Sequence, residues 1–420
     1  MTDASRAVQR TYLLLTLLTT LAASFIWGIN TLFLLDAGLS NTEAFAANAF
    51  FAVGQVVFEI PTGVVADTRG RRLSFMLGAG TLLLSTLLYL VMWNVQAPFW
   101  GWAIASALLG LGFTFFSGAT EAWLVDALGA TGFTGNLESV FGRAQVVAGG
   151  AMLVGSVGGG VIAQLTDLGV PYIVRAAMLG VTLVVAWWFM HDLGFTPQRG
   201  VTTATAVRTV ISGAVDGGLR NRPVRWLMLS APFTVGVGFY AFYALQPYLL
   251  ELYGDPTAYG IAGLAAAVVA AAQIVGGLTV PWVRRLFRRR TDAIITAGIM
   301  SVALLAMIGL TNSFVVALVL IIAWCLIGAV EEPFRRAFIN GLIPSQQRAT
   351  VLSFDSLIGS AGGVVAQPAL GRTADVFGYP ASYVVSAGIQ ALAVPFAFLA
   401  RRERAASDPI EATEPQPSGA

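Results

Sequence analysis

Residues 63–72 read G-V-V-A-D-T-R-G-R-R and separate two apolar segments, so the chain must turn within them. The two glycines permit close packing and backbone angles that other residues avoid. The aspartate can accept hydrogen bonds from amides at the start of a helix, where the dipole favours negative charge, and the last two arginines offer forked donors to a carboxylate. The residues concerned are Gly63, Asp67, Gly70, Arg71 and Arg72.

The composition on either side of this turn is that of a membrane protein. Of 420 residues, 56% are hydrophobic and 11% are charged, whereas a soluble domain carries about 25% charged residues. The single cysteine, Cys325, and the single histidine, His191, exclude a disulfide framework and a cysteine–histidine metal cluster. The sequence has no glycine-rich phosphate-binding loop. We therefore expect no enzymatic activity, no ATP-driven transport, and no metal or bound cofactor.

Breaks at charged, proline, glycine and asparagine clusters predict an all-α protein with twelve transmembrane helices of about 20 residues or more. The predicted spans are 11–35, 44–66, 73–93, 99–127, 142–165, 172–190, 225–252, 257–281, 292–311, 314–334, 349–371 and 379–400. A polar stretch separates six spans from six. The predicted units are an N-terminal bundle over 1–190, a central cytoplasmic loop over 191–224, a C-terminal bundle over 225–404 and a disordered tail over 405–420.

The distribution of arginine predicts the orientation of these spans. If the N-terminus lies in the cytoplasm and the chain crosses twelve times, all of the 24 basic residues except Arg175 and Arg372 fall in cytoplasmic segments. Positive charge concentrates on the cytoplasmic side of membrane proteins. We therefore expect a multi-pass protein of the cytoplasmic membrane with both termini inside the cell.

The two halves of the chain resemble each other. Residues 155–164 (G-S-V-G-G-G-V-I-A-Q) match residues 359–367 (G-S-A-G-G-V-V-A-Q), and G-A-T-E ending at Glu121 matches G-A-V-E ending at Glu331. The matches keep the same order at an offset of about half the chain. Many secondary transporters consist of two such repeats that hold a solute between them. The repeat predicts two pseudo-symmetric six-helix bundles that move small solutes.

The turn at 63–72 resembles the signature loop of the major facilitator superfamily at all of its glycine, aspartate and basic positions. Together with the twelve spans and the repeat, the resemblance covers nearly the whole chain. It implies a latch on the cytoplasmic side that holds the bundles together in the outward-facing state. In that latch, Asp67 would cap a helix of the second half and Arg71 would bond to Asp126.

The fifth span is similar to the packing motif of the drug/proton antiporter branch of this superfamily. In that register lie Gly142, Ala151, Gly155, Ser156, Gly159 and Gly160. Ala151 and Ser156 depart from the motif, which has glycine and proline there. The arginine that the branch carries in the fourth span is also missing, because Ser106 occupies its place, so no role of that arginine carries over.

A charged group inside a bilayer is costly and usually faces a cavity, so the acids of the spans are candidates for proton coupling. The candidates are Glu59, Glu121, Glu331 and Asp355. Glu331 lies four residues before Arg335, a spacing that favours an ion pair, whereas Glu121 has no arginine within four residues. We therefore favour Glu59 and Glu121.

By the same resemblance, the solute site lies among the first, fourth, seventh and tenth spans. These spans carry aromatic side chains and few polar groups, and a polar group of the second span joins them. The candidates are Trp27, Asn30, Gln55, Phe113, Trp123, Tyr240, Tyr243, Gln246 and Trp324. This lining suits an apolar or amphipathic solute, including a cationic one, better than a sugar.

These observations predict a proton-coupled exporter of drug-like or lipophilic small molecules that works by alternating access. Its partners would be the solute, protons and the lipid bilayer, with no nucleic acid, and we expect a monomer. Two alternatives remain open: an uptake carrier for a nutrient or small organic acid, and a membrane sensor that has a transporter fold but transports nothing.

Overall fold

The computed structural model of the chain describes residues 3–197, 202–343 and 345–410. Within these ranges, regular structure is helical apart from an isolated β-bridge between Arg289 and Pro409. The α-helices are α1 (Asp3–Trp27), α2 (Asn30–Asp36), α3 (Asn41–Arg69), α4 (Arg71–Asn94), α5 (Phe99–Thr114), α6 (Ala119–Ala130), α7 (Leu137–Leu165), α8 (Val170–Phe189), α9 (Thr203–Ala214), α10 (Arg222–Tyr253), α11 (Tyr259–Val283), α12 (Arg290–Leu310), α13 (Phe314–Asn340), α14 (Ser345–Ala391) and α15 (Val394–Arg402).

The described chain crosses a membrane twelve times. Eleven helical segments are long and apolar enough to span a bilayer. The last of them, Val351–Arg402, has 52 residues. As a single helix it would reach about 78 Å, against a hydrocarbon core of about 30 Å. Gly378 (φ 81°, ψ 168°) breaks this segment into two crossings. The prediction of an all-α protein with twelve transmembrane helices is therefore confirmed.

Alternate crossings give the molecule two faces. Asp3, Gly70 and Arg404 lie on one face, which we call the terminal face because both described ends of the chain are there. The short turns after α2 and α12 lie on the other, the distal face. The orientation predicted from the arginines would put the terminal face in the cytoplasm.

Each half of the chain packs as a bundle, and the two bundles meet mainly along two helix pairs. Within the first half, α1 packs on α7 and α8, while α4 packs on α5 and α8. Within the second half, α10 packs on α14, and α12 packs on α13 and α14. Between the halves, α3 packs on α14 and α7 packs on α11. These two contacts are related by the repeat, since they join the second span to the eleventh and the fifth span to the eighth.

Two predicted irregular segments carry more structure than expected. The predicted central loop contains α9, which packs on α3 and α14. In the tail, predicted to be disordered from 405, residues 405–410 are ordered. Asp408 is buried and accepts the Thr291 N–H at 2.9 Å, which caps α12. Arg290 donates to the carbonyl of Pro409 at 2.8 Å. Residues 411–420 lie outside the described part of the chain.

The glycines of the fifth span contact different neighbours along α7. A Cβ atom on Gly155 would lie 1.9 Å from Ser24 Oγ, and one on Gly159 would lie 1.8 Å from the carbonyl oxygen of Phe25. These two glycines allow α7 to touch α1. A Cβ atom on Gly160 would lie 2.7 Å from the carbonyl oxygen of Tyr259, so this glycine faces the other bundle.

Two further motif positions, Ser156 and Gly142, differ from these glycines. Ser156 is buried, and its carbonyl oxygen would lie 2.5 Å from a Cβ atom on Gly263. Apart from its chain neighbours and its own helix backbone, no heavy atom of the described residues lies within 4 Å of the position that a Cβ atom on Gly142 would take. A packing role for Gly142 in this conformation is therefore not supported.

Replacing Gly159 with alanine is expected to lower the free energy of unfolding by about 1–3 kcal/mol, because the new methyl group collides with the backbone of α1. Gly142→Ala is the matched control in the same helix. It is expected to be neutral or to stabilise by up to about 1 kcal/mol, the gain from helix propensity. Chemical unfolding in detergent micelles measures both, and equal effects would contradict the packing argument.

Candidate solute cavity and its gates

A cavity of about 650 Å³ lies between the bundles. Its wall in the first bundle combines apolar, aromatic and hydroxyl side chains, and α14 closes the opposite side with three serines. The lining residues that the argument uses are Gln55, Glu59, Phe113, Ser117, Glu121 and Arg175. Among the described residues, the hydrogen bonds that join the two bundles lie at the distal ends of the helices, so the cavity opens towards the terminal face.

Two of the four predicted acids lie on the wall of this cavity. Glu59 Oε1 accepts a hydrogen bond from Ser117 Oγ at 2.7 Å. Glu121, on the facing helix α6, is exposed to the open cavity. No arginine or histidine of the described residues comes within 4.0 Å of either carboxylate. Both carboxylates are therefore free to meet a solute or a proton.

The other two predicted acids lie in the second bundle. Asp355 is buried and forms a two-pronged ion pair with Arg335, with both N–O distances at 2.6 Å. Glu331 does not form the expected pair with Arg335. It lies in a second cavity of about 650 Å³ within the second bundle, which Trp324 also lines. Asp355 is thus engaged in an ion pair, and the repeat-related Glu121 and Glu331 face different cavities.

The predicted solute residues are not all at the central cavity. Gln55 and Phe113 line it. Trp27 lies at the junction of the bundles, where its ring centroid is 4.6 Å from that of Phe242. Tyr243, which directly follows Phe242 in α10, is partly buried. Binding of solute by these residues stays a prediction.

Four predicted solute residues face other helices instead. Trp123 is buried and donates to the carbonyl oxygen of His191 at 2.7 Å. Tyr240 is buried and donates to Ser382 Oγ. Asn30 is buried and accepts from the hydroxyl of Tyr172 at 2.9 Å. The fourth, Gln246, belongs to the distal gate. Contrary to expectation, these four do not line the central cavity in this conformation, because the rotation of each helix about its axis depends on neighbours that its own sequence does not specify.

The charged turn on the terminal face is paired within its own bundle. Arg71 bonds to Asp67 at 2.5 Å, and its Nε lies 3.9 Å from Asp126. The predicted Arg71–Asp126 contact is therefore present only as a long one. The resemblance had also predicted that Asp67 caps a helix of the second half. Among the described residues, Asp67 forms no such bond. This pairing is what a cavity open at the terminal face requires.

Sequence reasoning missed the residue that holds this turn. Asp192, which follows α8, accepts the N–H of Arg72 at 2.8 Å, and its other oxygen lies 2.3 Å from where a Cβ of Gly70 would be. Gly70 adopts φ 113°, which a side chain would disfavour. Arg72 also donates to the carbonyl oxygen of Trp187 at 2.6 Å. The partner lies more than a hundred residues along the chain, so no local signal identifies it.

The distal face is closed by polar contacts between the bundles. Asp375 of α14 accepts the backbone N–H groups of Asn41 and Thr42 at 2.9 and 2.8 Å, so it caps the first turn of α3. The Tyr379 hydroxyl bonds to Asn41 Oδ1.

A second distal contact fills the break in the first span. α1 ends at Trp27 and α2 begins at Asn30, which frees backbone groups. Gln246 of α10, which is fully buried, accepts the N–H of Thr31 and donates to the carbonyl oxygen of Trp27, both at 2.9 Å. We call the contacts of Asp375 and Gln246 the distal gate. Gln246 therefore joins the bundles and does not line the cavity.

Comparison with known proteins agrees with this architecture. The family model of the Major Facilitator Superfamily matches residues 12–331 and 259–419. The chain belongs to this superfamily. A curated relative, an uncharacterised MFS-type transporter of Methanocaldococcus jannaschii, is 22% identical over 230 residues, which cover 55% of this chain and 57% of that protein.

Solved structures of the superfamily share the fold. The nucleoside transporter NupG superposes with a TM-score of 0.74 at 11% identity, covering 94% of this chain and 98% of NupG. A bacterial homologue of the human lysosomal transporter Spinster, inward-facing and occupied, superposes with a TM-score of 0.71 at 16% identity, covering 98% and 100%. At such identities these superfamily members share only the fold with this chain.

Removing the cap on α3 is expected to loosen the distal gate. Asp375→Ala should destabilise the described conformation by about 0.5–2 kcal/mol, the usual cost of a lost helix cap. A cysteine at Leu250, which is buried among residues of both bundles, should then react faster with a membrane-impermeant maleimide, in a background lacking Cys325. Asp255→Asn, at an exposed distal carboxylate that bonds to Thr257, is the control. Unchanged labelling in Asp375→Ala would exclude a gating contact.

Asp355→Asn is expected to lower the free energy of unfolding by about 3–5 kcal/mol, because it leaves the guanidinium of Arg335 buried without its counter-charge. Glu332→Gln is the matched control, since the Glu332–Arg336 pair is exposed and should contribute about 0–1 kcal/mol. Chemical unfolding in micelles measures both. Wild-type stability in Asp355→Asn, with loss of proton dependence alone, would restore Asp355 as a coupling residue.

Proposed function

We propose that this transporter exports amphipathic, drug-like or lipophilic molecules from the cytoplasm in exchange for protons. The observation that carries the proposal is a pair of carboxylates, Glu59 and Glu121, which have no basic partner among the described residues and lie on the wall of a cavity that is otherwise rich in apolar and hydroxyl groups. Intramembrane acids that face a cavity are typical of proton relays. The terminal face would be cytoplasmic, in agreement with the arginine distribution.

The arrangement supports an exchange cycle. In the described conformation, a solute from the terminal side enters the cavity past Glu59 and Glu121, and protons carried in from the distal side would leave these carboxylates on the same side. Rocking of the bundles would separate Asp375 from α3 and open the distal side, where the solute leaves and a proton enters. Glu59 lies eight residues before Asp67 on α3, about 12 Å along the helix, so its charge state can bias the turn that closes the terminal side.

The proposal is tested in proteoliposomes that contain a trapped pH indicator. Addition of an amphipathic solute from a screened library is expected to move protons in the direction opposite to the solute. Glu59→Gln and Glu121→Gln should reduce this proton movement at least tenfold while solute–solute exchange persists. Glu251→Gln, at an exposed distal carboxylate, is the control and should behave as wild type.

Each contrary result favours a different function. A Gln variant that keeps wild-type proton movement removes that residue from the coupling. Protons and solute moving together would indicate an uptake carrier, and binding without any flux would indicate a sensor. Either of the last two results contradicts proton-coupled export.

A further inference from the structure

Arg175 is the one arginine of the described chain that lies deep within a span and also lines the central cavity. It occupies the sixth position of α8, about 8 Å along the helix from the distal end. Its relative exposure is 2%. Counting charges along the sequence had assigned it to the outer side, because it lies near the beginning of the span.

The guanidinium of Arg175 has no negative partner among the described residues. Its Nε donates to Thr86 Oγ1 at 3.0 Å, and its Nη1 donates to the carbonyl oxygen of Ala22 at 3.2 Å. No carboxylate lies within 4.0 Å of it. A charge buried without a counter-charge is expensive, so its retention calls for a compensating ligand.

The fold itself does not require a charge at this place. Residues 172–175 read Y-I-V-R and residues 383–386 of the last span read Y-V-V-S, and Tyr383 packs on Tyr248 in the second bundle as Tyr172 packs on Phe33 in the first. In the second bundle, Ser386 fills the position, is fully buried and donates to the carbonyl oxygen of Ser382 at 2.7 Å. Packing of this turn is therefore satisfied by a small neutral side chain. The positive charge exists in one bundle only, and that bundle supplies most of the cavity wall.

The surroundings of Arg175 suit an anion with an apolar body. Leu82, Phe113 and Leu179 line the cavity with it, whereas Glu59 and Glu121 lie nearer the terminal mouth. An arginine presents a fork of N–H donors that matches the two oxygens of a carboxylate. A solute with its charged end at Arg175 would place its apolar part against these side chains.

We propose that Arg175 is the subsite for an oxyanion of the transported solute, a carboxylate in the simplest case, so that the cargo is an amphipathic anion. The assignment deepens the proposed function and rests on it only for the statement that the bound anion is cargo. It also explains how one cavity handles charges of both signs. The solute anion meets Arg175 at the bottom, and protons meet Glu59 and Glu121 near the mouth.

The test compares two probes with one skeleton, 4-(1-pyrenyl)butyrate and its primary amide, on the purified full-length protein in a neutral detergent without a proton gradient. Energy transfer from tryptophan to pyrene reports binding. The wild type is expected to bind the carboxylate at least tenfold more tightly than the amide. Arg175→Gln should remove this preference with little change for the amide, and Arg175→Lys should retain part of it.

Arg372→Gln, at an exposed arginine of α14, is the control and should keep the preference. If Arg175→Gln does not fold, the wild-type protein still tests the assignment. The carboxylate, but not the amide, should protect Arg175 from modification by phenylglyoxal, which peptide mass spectrometry measures. Equal affinity for acid and amide in the wild type, absence of binding by both, or a full preference in Arg175→Gln would each overturn the assignment.

These outcomes are separable from those of the proposed function. Anion-selective binding without proton-coupled flux would contradict proton exchange and leave the subsite intact. Proton-coupled flux of solutes with no preference for an anion would support proton exchange and contradict the anion subsite at Arg175.

Discussion

Close approach of helix backbones along the distal seam is the constraint on which the rest of the structure depends. Lipid provides no hydrophobic force between helices, so association relies on packing and hydrogen bonds, and small residues allow both. A Cβ atom on Gly28 would lie 3.0 Å from the Cα atom of Gly263, and one on Gly160 would lie 2.8 Å from it. Gly160 of α7, Gly263 of α11 and Gly28, in the break between α1 and α2, therefore meet at one point. Because the bundles touch here, the cavity opens on the other side of this point.

The polar contacts follow from this seam. Since α1 breaks where it meets α11, its freed backbone groups need partners, and Gln246 satisfies them from the second bundle. Asp375 does the same for the start of α3. On the terminal face the charged groups turn inward to their own bundle, as Arg71 does with Asp67. Contacts between the bundles close the distal face, while the charged groups of the open terminal face pair inside one bundle. This is the arrangement that one end of the proposed alternating-access cycle requires.

Local sequence predicted those features that depend on local physics. The thickness of the bilayer sets the length of a span, so the number of crossings could be predicted from the sequence. The turn at 63–72 could be predicted because its residues are neighbours in the chain and act together. Features that depend on distant partners were not. Asp192 holds a turn 120 residues away. Tyr240 bonds to Ser382 of its own bundle and packs on Phe45 of α3 instead of lining the cavity, since neighbouring helices decide the rotation of α10. The sequence shows that Arg175 is a charged residue near the start of a span. Its burial at the cavity could not be predicted, because it depends on the packing of three helices.

The central claim is that two bundles rock about the distal seam, so that the cavity opens to one face at a time. Spin labels at Arg69 and Leu286 on the terminal face, and at Val95 and Asn312 on the distal face, measure it by pulsed electron resonance. All four positions are exposed. Across pH and added solute, the account predicts that one distance lengthens while the other shortens. Distances that rise together, or neither changing, would contradict it.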